Sequence, residues 1–251
     1  MPTQDHIHAA ALAKRLAPLP LDDRLAAIAA LPGRIVFTTG LGVEDQALTG
    51  AIARLAPGTR SRFGLATLDT GRLFAETLDL IAATEAATGL AIARYSPTPA
   101  DIAAFADRHG VDGFYDSVEA RHACCAARKL RPLARALDGA TCWVTGLRRG
   151  QSGARAETPL AAFDSADGVT KLNPLADLDI GAIRELAARA GVPLNPLHAR
   201  GYASIGCEPC TRAIRPGEDE RAGRWWWESD AKRECGLHVA PIAAIAVEAR
   251  P

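Results

Sequence analysis

The sequence lacks any sign of membrane insertion and any excess of one charge. No apolar run approaches the roughly 18 residues of a membrane-spanning helix. The segment Met1 to His8 has no basic start followed by an apolar core, so we do not expect a secretory signal. Lys plus Arg equals Asp plus Glu, 29 against 29, so no net field draws the chain towards nucleic acid or an anionic membrane. We expect a cytoplasmic protein whose anion sites are local.

Cysteine is scarce, with six residues in 251. In a reducing compartment such cysteines are more often ligands or catalysts than disulfide partners. Four form two distant pairs, Cys124-Cys125 and Cys207-Glu-Pro-Cys210, a pattern that favours one closed zinc or iron–sulfur site. Successive helix residues point roughly 100° apart, so the adjacent pair reaches one centre only from a distorted helix or around a centre larger than one ion. The alternative is two buried small side chains and a separate redox pair.

The other two cysteines have different surroundings. Cys142 falls within a predicted strand, where we expect a core side chain. Cys235 is flanked by Lys232, Arg233 and His238, which would lower its pKa from about 8.5 and make a thiolate available. Cys235 is therefore a candidate nucleophile, and a spectator thiol is the alternative.

Predicted strands alternate with predicted helices over most of the chain. Buried strands are expected at 34–39, 62–68, 90–95 and 141–145, with helices at 21–31 and 72–88. This alternation indicates an α/β fold with a doubly wound, mostly parallel sheet, which binds ligands beyond the carboxyl ends of its strands. We assign residues 1–199 to this domain, with N-terminal helices in 1–33. Residues 200–251 form a C-terminal segment, and its tail is expected over the site.

Three polar, glycine-bearing segments fall at this predicted edge, namely 38–42, 69–72 and 146–155. The first is not a Walker A loop, but hydroxyls and backbone N–H groups at a helix start can bind phosphate or sulfate. Basic side chains from other segments can complete such a site, although a solvated surface charge is the alternative for each. The candidate residues are Thr38, Thr39, Gly40, Asp69, Thr70, Gly71, Arg72, Lys129, Arg148, Arg149, Arg155, Arg221 and Arg224.

Several longer motifs together resemble the assimilatory adenosine 5'-phosphosulfate reductases. They are Leu68-Asp-Thr-Gly-Arg-Leu-Phe-Ala-Glu-Thr77, the pair Cys124-Cys125 with Arg128-Lys129, and the segments 145–152, 201–212, 216–228 and 234–238. The match runs from about residue 34 to residue 238. The loop Thr38-Thr39-Gly40 departs from the Ser-rich loop common in that family but keeps its hydroxyls.

The resemblance implies a fold of the adenine nucleotide alpha-hydrolase-like, pyrophosphatase-loop type. It also implies one [4Fe–4S] cluster on Cys124, Cys125, Cys207 and Cys210, with Cys235 as the nucleophile. The reaction would release sulfite and AMP through an S-sulfocysteine, with thioredoxin or a glutaredoxin-like protein as electron donor. The basic candidates and His238 would face the phosphosulfate, and a homo-oligomer is expected.

Two other functions are compatible with parts of the sequence. Reductases of the 3'-phosphorylated substrate share the ending Glu-Cys-Gly-Leu-His but usually lack the cluster cysteines. A structural zinc site in a nucleic-acid-binding module would also use four thiolates, but the zero net charge argues against it. We therefore expect the substrate without the 3'-phosphate.

Overall fold

The computed structural model describes residues 3–228, so Cys235 and His238 lie outside the described residues. The helices are α1 (Gln4–Leu16), α2 (Leu21–Ala29), α3 (Val43–Arg54), α4 (Pro57–Arg60), α5 (Ala75–Thr88), α6 (Pro99–His109), α7 (Val118–Cys125), α8 (Arg131–Ala136) and α9 (Ile180–Ala190). The strands are β1 (Arg34–Thr38), β2 (Phe63–Leu68), β3 (Ile92–Tyr95), β4 (Ala140–Val144), β5 (Ala161–Asp164) and β6 (Val169–Leu172).

The strands form one six-stranded sheet in the order β3-β2-β1-β4-β6-β5. Every neighbouring pair is parallel except β5 and β6, which are antiparallel. The predicted mostly parallel sheet is confirmed. The sequence analysis did not identify β5 and β6, since each has only four residues and partly exposed side chains.

Both faces of the sheet are covered, because alternate strand residues point to opposite sides. Ile35 and Phe37 of β1 belong to a large core that includes apolar residues of α1, α2, α3 and α9. Val36 points the other way, into a smaller core with Leu133 of α8 and Trp143. The chain is therefore doubly wound. Cys142 is buried in the first core, as predicted.

Residues beyond α9 have little regular structure and pack against the sheet domain. A backbone bridge pairs Leu73 with Cys207, and Glu208 N donates to Arg72 O at 2.8 Å. These contacts hold the second cysteine pair beside the turn that follows β2. The domain boundary at residue 199 remains a prediction. Among the described residues, no helix is long and apolar enough to cross a membrane.

Arg24 ties the N-terminal helices to the loop after β6. Its guanidinium is buried, donates to Leu16 O at 3.0 Å and Pro174 O at 2.9 Å, and binds both carboxylate oxygens of Asp177 at 2.6 and 2.8 Å. A buried backbone carbonyl group without a donor lowers the stability of the fold. The side chain of Arg24 satisfies several such acceptors at once.

We predict that Arg24→Ala lowers the free energy of unfolding by about 2–4 kcal/mol, because it removes the donor that Asp177 and three backbone carbonyl groups share. Arg54→Ala is the matched control, since Arg54 lies 3.6 Å from Asp22 in an exposed pair and should cost less than about 1 kcal/mol. Urea unfolding measures both, and equal losses would contradict the prediction.

Candidate active site

A cavity of about 230 Å³ opens at the carboxyl edge of the sheet, where β1, β2 and β4 end. Such an edge, near the point where strand order reverses, is the usual ligand site of a doubly wound fold. The cavity brings together eight of the predicted residues from five parts of the chain. They are Thr38, Thr39, Gly40, Thr70, Lys129, Arg155, Arg221 and Arg224.

The turn after β1 forms one wall and is held by its own hydrogen bonds. Trp143 Nε1 donates to Thr38 Oγ1 at 2.7 Å, and Leu41 N donates to Thr39 Oγ1 at 3.0 Å. Gly40 N donates to Asp45 Oδ2 at 2.6 Å. The N–H group of Gly40 therefore already donates a hydrogen bond to a side chain of the protein, and binding of an anion by this loop remains a prediction.

Asp45 is an acidic group in the cavity that the sequence analysis did not name as a site residue. Its pKa is raised to about 7, mainly by burial and also by the charge of Glu44, whereas the Gly40 N–H and Arg155 oppose the shift. A Cβ atom on Gly146 would lie 2.2 Å from Asp45 Oδ1, so only glycine leaves room for this carboxyl group. Asp45 can therefore change protonation near neutral pH.

Arg224 and Arg155 are basic groups at the cavity, and each donates to neutral acceptors. Arg155 Nη1 donates to Gln151 Oε1 at 2.7 Å. Arg224 Nη1 lies 3.3 Å from Ile205 O and 3.5 Å from Ser204 Oγ, and its Nε is buried without a hydrogen-bond partner in the described chain. Arg224 thus presents a buried cation to the cavity.

Two predicted arginines near the cavity are paired with carboxylates. Arg148 binds Glu44 at 2.8 Å and also Glu220, and Arg72 binds Asp112 at 2.7 Å. Neither lines the cavity. Their expected contacts with substrate remain untested, and the structure gives both a role in joining chain segments.

Three other candidates also lie outside the cavity lining. Arg149 Nε donates to Thr158 O at 3.0 Å. Asp69 Oδ1 accepts from Gly71 N at 3.1 Å, and Gly71 has a φ of +68°, which glycine adopts without strain. Asp69 and Gly71 shape the turn after β2, and Arg149 lies in the loop after β4. The substrate contacts of all three remain predictions.

The two cysteine pairs lie close together beside the cavity. Cys124, Cys207 and Cys210 belong to one buried cluster with Trp225, and Cys125 is also buried. Burial and, second, the neighbouring Cys207 raise the pKa of Cys210 to about 12. Burial also raises the pKa of Cys124, with a smaller contribution from Cys207. The thiols of Cys124 and Cys210 are therefore protonated at neutral pH unless a bound group displaces the protons.

Basic side chains surround this cysteine site. Arg128 and Lys129 lower the pKa of Cys124, and Lys129 also lowers the pKa of Cys210. Arg224 also lowers the pKa of Cys210. The negative charge of thiolates at this site would be offset by cations that come from the same segments as the cysteines.

The helix that carries the first pair is distorted directly after it. α7 begins at a Ser117 cap, whose hydroxyl accepts from Ala120 N at 3.0 Å, and ends at Cys125. A π-helical turn follows over Ala126–Leu130, where Arg131 N donates to Ala126 O. Such turns are frequent at functional sites. The sequence analysis named helix distortion as one of two ways for both cysteines to reach one centre. The distortion begins directly after the pair, and joint ligation remains a prediction.

The donor set fits iron–sulfur ligation in its chemistry, because four soft thiol groups and nearby cations suit an anionic thiolate-bound cluster. In the range 3–228, no group of three or more His, Cys, Asp or Glu side chains is arranged to hold a metal ion. The assignment of Cys124, Cys125, Cys207 and Cys210 as ligands is therefore not settled by geometry.

His198 is a cavity residue that the sequence analysis missed. Its Nδ1 lies 2.8 Å from Tyr202 O, and because a carbonyl only accepts, Nδ1 carries the proton. Nε2 is then an acceptor, and it is buried without a partner in the described chain. The backbone around Ser204 also lines the cavity. No local pattern distinguishes this histidine in the sequence, since it lies in an aperiodic segment.

Comparisons with known proteins agree with this geometry. Residues 34–213 match the model of the phosphoadenosine phosphosulfate reductase domain family. The chain is 61% identical over 236 residues to a protein of Sinorhizobium fredii named adenosine 5'-phosphosulfate reductase, covering 94% of this chain and 92% of that one. It is 53% identical over 217 residues to the protein of that name from Allochromatium vinosum, covering 86% and 83%.

Solved structures support the same fold. The chain resembles a phosphoadenylyl-sulfate reductase from Candida auris, solved as a phosphate complex, with a TM-score of 0.68 and 26% identity over 85% of this chain and 98% of the other. Yeast FAD synthetase in complex with FAD gives a TM-score of 0.51 at 14% identity, covering 99% and 84%, which supports the fold alone. The predicted fold of the nucleotide alpha-hydrolase type is thus confirmed.

We predict that Asp45 makes stability depend on pH. Its folded pKa is raised, so its stabilising contribution is complete below about pH 4 and is lost as pH rises through about 7. The Asp45→Asn variant should not show this loss of stability. The difference between its free energy of unfolding and that of the unsubstituted protein should therefore increase by roughly 1–3 kcal/mol from pH 4.5 to pH 8.5. Urea unfolding at both pH values measures this change, and a constant difference would contradict it.

Proposed function

The chain belongs to the phosphoadenosine phosphosulfate reductase domain family, and from this premise we propose that it reduces adenosine 5'-phosphosulfate to sulfite and AMP. It is an oxidoreductase of sulfate assimilation, as its relatives' names imply. The observation that carries the proposal is a cavity at the carboxyl edge of the sheet, lined by Lys129, Arg221 and Arg224 and adjoining four buried cysteines. Because the reaction needs reduced thiols, we also propose a cytoplasmic location.

The basic residues of the cavity suit a phosphosulfate anion. Desolvated guanidinium and ammonium groups make strong charge-assisted hydrogen bonds to phosphate oxygens. Charge develops on the phosphate as the bond from sulfur to its bridging oxygen breaks, so preorganised cations stabilise the leaving AMP. We assign this work to Lys129, Arg221 and Arg224, with His238 as a further candidate on the tail.

The acidic residues of the cavity favour the substrate without a 3'-phosphate. Glu44, Asp45 and Glu220 all line it. Glu44 and Glu220 bring two negative charges against the one positive charge of Arg148, which pairs with both. A 3'-phosphate would bring further negative charge beside them, and like charges in a partly buried site repel strongly. A ribose hydroxyl, in contrast, can donate a hydrogen bond to a carboxylate. This is the reason to prefer adenosine 5'-phosphosulfate over the 3'-phosphorylated substrate.

Cys235 is the proposed nucleophile. It is seven residues beyond Glu228, so a tail of at most about 25 Å joins it to the residues that line the cavity. Its thiolate attacks the sulfonyl sulfur and forms an S–S bond. The bond from that sulfur to the bridging oxygen breaks, and its electron pair leaves with AMP.

A thioredoxin dithiol is the proposed reductant. One of its thiolates attacks Cys235 Sγ, forms a mixed disulfide and releases sulfite. The second thioredoxin thiol then breaks the mixed disulfide, which regenerates Cys235 and leaves oxidised thioredoxin. The two electrons that reduce the sulfonyl sulfur thus come from the dithiol. A glutaredoxin-like donor could act by the same exchange.

Cys124, Cys125, Cys207 and Cys210 would hold a [4Fe–4S] cluster. When bound, the cluster would supply cross-links between the two segments and a local field, and the proposed chemistry needs no electrons from it. Lys129 lies four residues after Cys125 and influences two of the thiols. The proposed arrangement therefore links cluster binding to the position of a substrate cation.

We predict that Ser at any of the four positions 124, 125, 207 or 210 bleaches a brown chromophore and lowers activity at least tenfold, because each removes one thiolate ligand. Cys142→Ser is the control and should keep its iron, since Cys142 is buried in β4 away from the pairs. Iron analysis and visible absorption after anaerobic purification measure the change. A colourless zinc protein, or an iron-replete Cys210→Ser protein, would refute this ligand set.

We predict that Cys235→Ser abolishes turnover but leaves chromophore and fold intact. The unsubstituted protein, mixed with adenosine 5'-phosphosulfate without thioredoxin, should accumulate one sulfonate adduct per chain on Cys235 and release AMP. Reduced thioredoxin should then discharge the adduct as sulfite. Peptide mass spectrometry locates the adduct, and its appearance on another cysteine would overturn the assigned nucleophile.

A further inference from the structure

The ring of Trp225 lies close to three guanidinium groups. Its ring centroid is 4.7 Å from Arg121 Cζ, 4.7 Å from Arg224 Cζ and 5.9 Å from Arg221 Cζ. These distances lie within the range of a cation–π attraction, which strengthens when the groups are removed from water. Trp225 is only 1% exposed, so all three contacts occur in a buried setting.

The three cations do not have the same partners. Arg121 Nε and Nη2 donate to the two carboxylate oxygens of Glu228 at 2.8 and 2.7 Å, so its charge is neutralised. Arg224 has no carboxylate partner among residues 3–228, and both Arg224 and Arg221 line the cavity. The ring therefore contacts both a neutralised cation on α7 and the cations that line the cavity.

We propose that Trp225 is a positioning residue that holds Arg224 at the cavity without cancelling its charge, with Arg221 as a second, more distant contact of the same ring. The inference rests on the proposed function, in which these arginines face the phosphosulfate. A carboxylate partner would fix a guanidinium but would also oppose its attraction for an anion. An aromatic ring attracts the cation through its quadrupole and carries no net charge. Arg224 thus remains available to the substrate.

The backbone supports this role. Trp225 has a φ of +44°, a left-handed conformation that is rare for a bulky residue and persists only where the surroundings impose it. Trp225 N donates to Cys210 O at 3.2 Å, and Arg224 forms a backbone bridge with Thr211. The turn at Cys210 therefore sets the position of the ring, and the ring sets that of the arginines.

The test compares Trp225→Leu with Trp225→Phe, because both lose volume but only Phe keeps an aromatic face. The measurements are the dissociation constants of AMP and adenosine by calorimetry. Trp225→Leu should weaken AMP binding about tenfold and adenosine binding less than twofold, and Trp225→Phe should recover most of the AMP affinity. Trp226→Leu, on a partly exposed neighbouring ring, is the control and should change neither constant.

The outcomes separate this inference from the proposed function. An unsubstituted protein that binds neither AMP nor adenosine refutes the proposed function. If the unsubstituted protein binds both ligands, two results refute the role of Trp225 alone. One is an equal AMP affinity in Trp225→Leu and Trp225→Phe. The other is a loss of adenosine affinity in Trp225→Leu as large as its loss of AMP affinity. A purely structural role would weaken both ligands together.

If Trp225→Leu does not fold, protein labelled with fluorinated tryptophans decides the question. Fluorine withdraws electron density from the ring and keeps its shape. The background is Trp143→Phe, since Trp143 also lines the cavity. AMP affinity should fall with each added fluorine and adenosine affinity should not. Unchanged AMP affinity across the series would overturn the proposal.

Discussion

The attachment of residues 201–228 to the parallel sheet is the constraint on which the site depends. This segment carries Arg221, Arg224 and the second cysteine pair, so the cavity has these two cations only when the segment is docked. The docking includes the buried pair of Arg121 and Glu228, which joins the end of the described segment to α7. Loss of one member would break this buried ion pair, which is strongly destabilising. The same helix carries the first cysteine pair, so both halves of the cysteine site share this contact.

The sequence predicted β1 to β4 well, because each has apolar residues followed by polar turn residues. The β5 and β6 hairpin was not foreseen, since its strands are short and half exposed and it joins the sheet through the pairing of β6 with β4. Helix distortion could be named from residue spacing as one of two ways for Cys124 and Cys125 to reach one centre. Its form as a π-helical turn could not, because it arises from packing.

The same limit applies to the charged residues. Clustering near glycine-bearing turns selected both Arg155 and Arg148, yet only Arg155 lines the cavity. Arg148 is buried against Glu44 and Glu220, and a carboxylate brought from 104 residues away cannot be read from local sequence. His198 is the converse case, because its unpartnered Nε2 is visible only once Tyr202 O fixes the other nitrogen. The local sequence identified the types of side chain in the site, and only the tertiary structure shows which of these side chains line the cavity.

The central claim is that opposed charges in one cavity select the nucleotide whose sulfonyl group is then reduced. Cations from three segments would hold the phosphosulfate, and three carboxyl groups would exclude a second phosphate on the ribose. The most direct measurement is sulfite release with reduced thioredoxin, comparing kcat/KM for adenosine 5'-phosphosulfate and its 3'-phosphorylated analogue. The account predicts a preference of at least about 100-fold for the first, equivalent to about 2.7 kcal/mol. Equal or reversed preference, or no sulfite from either nucleotide, would contradict it.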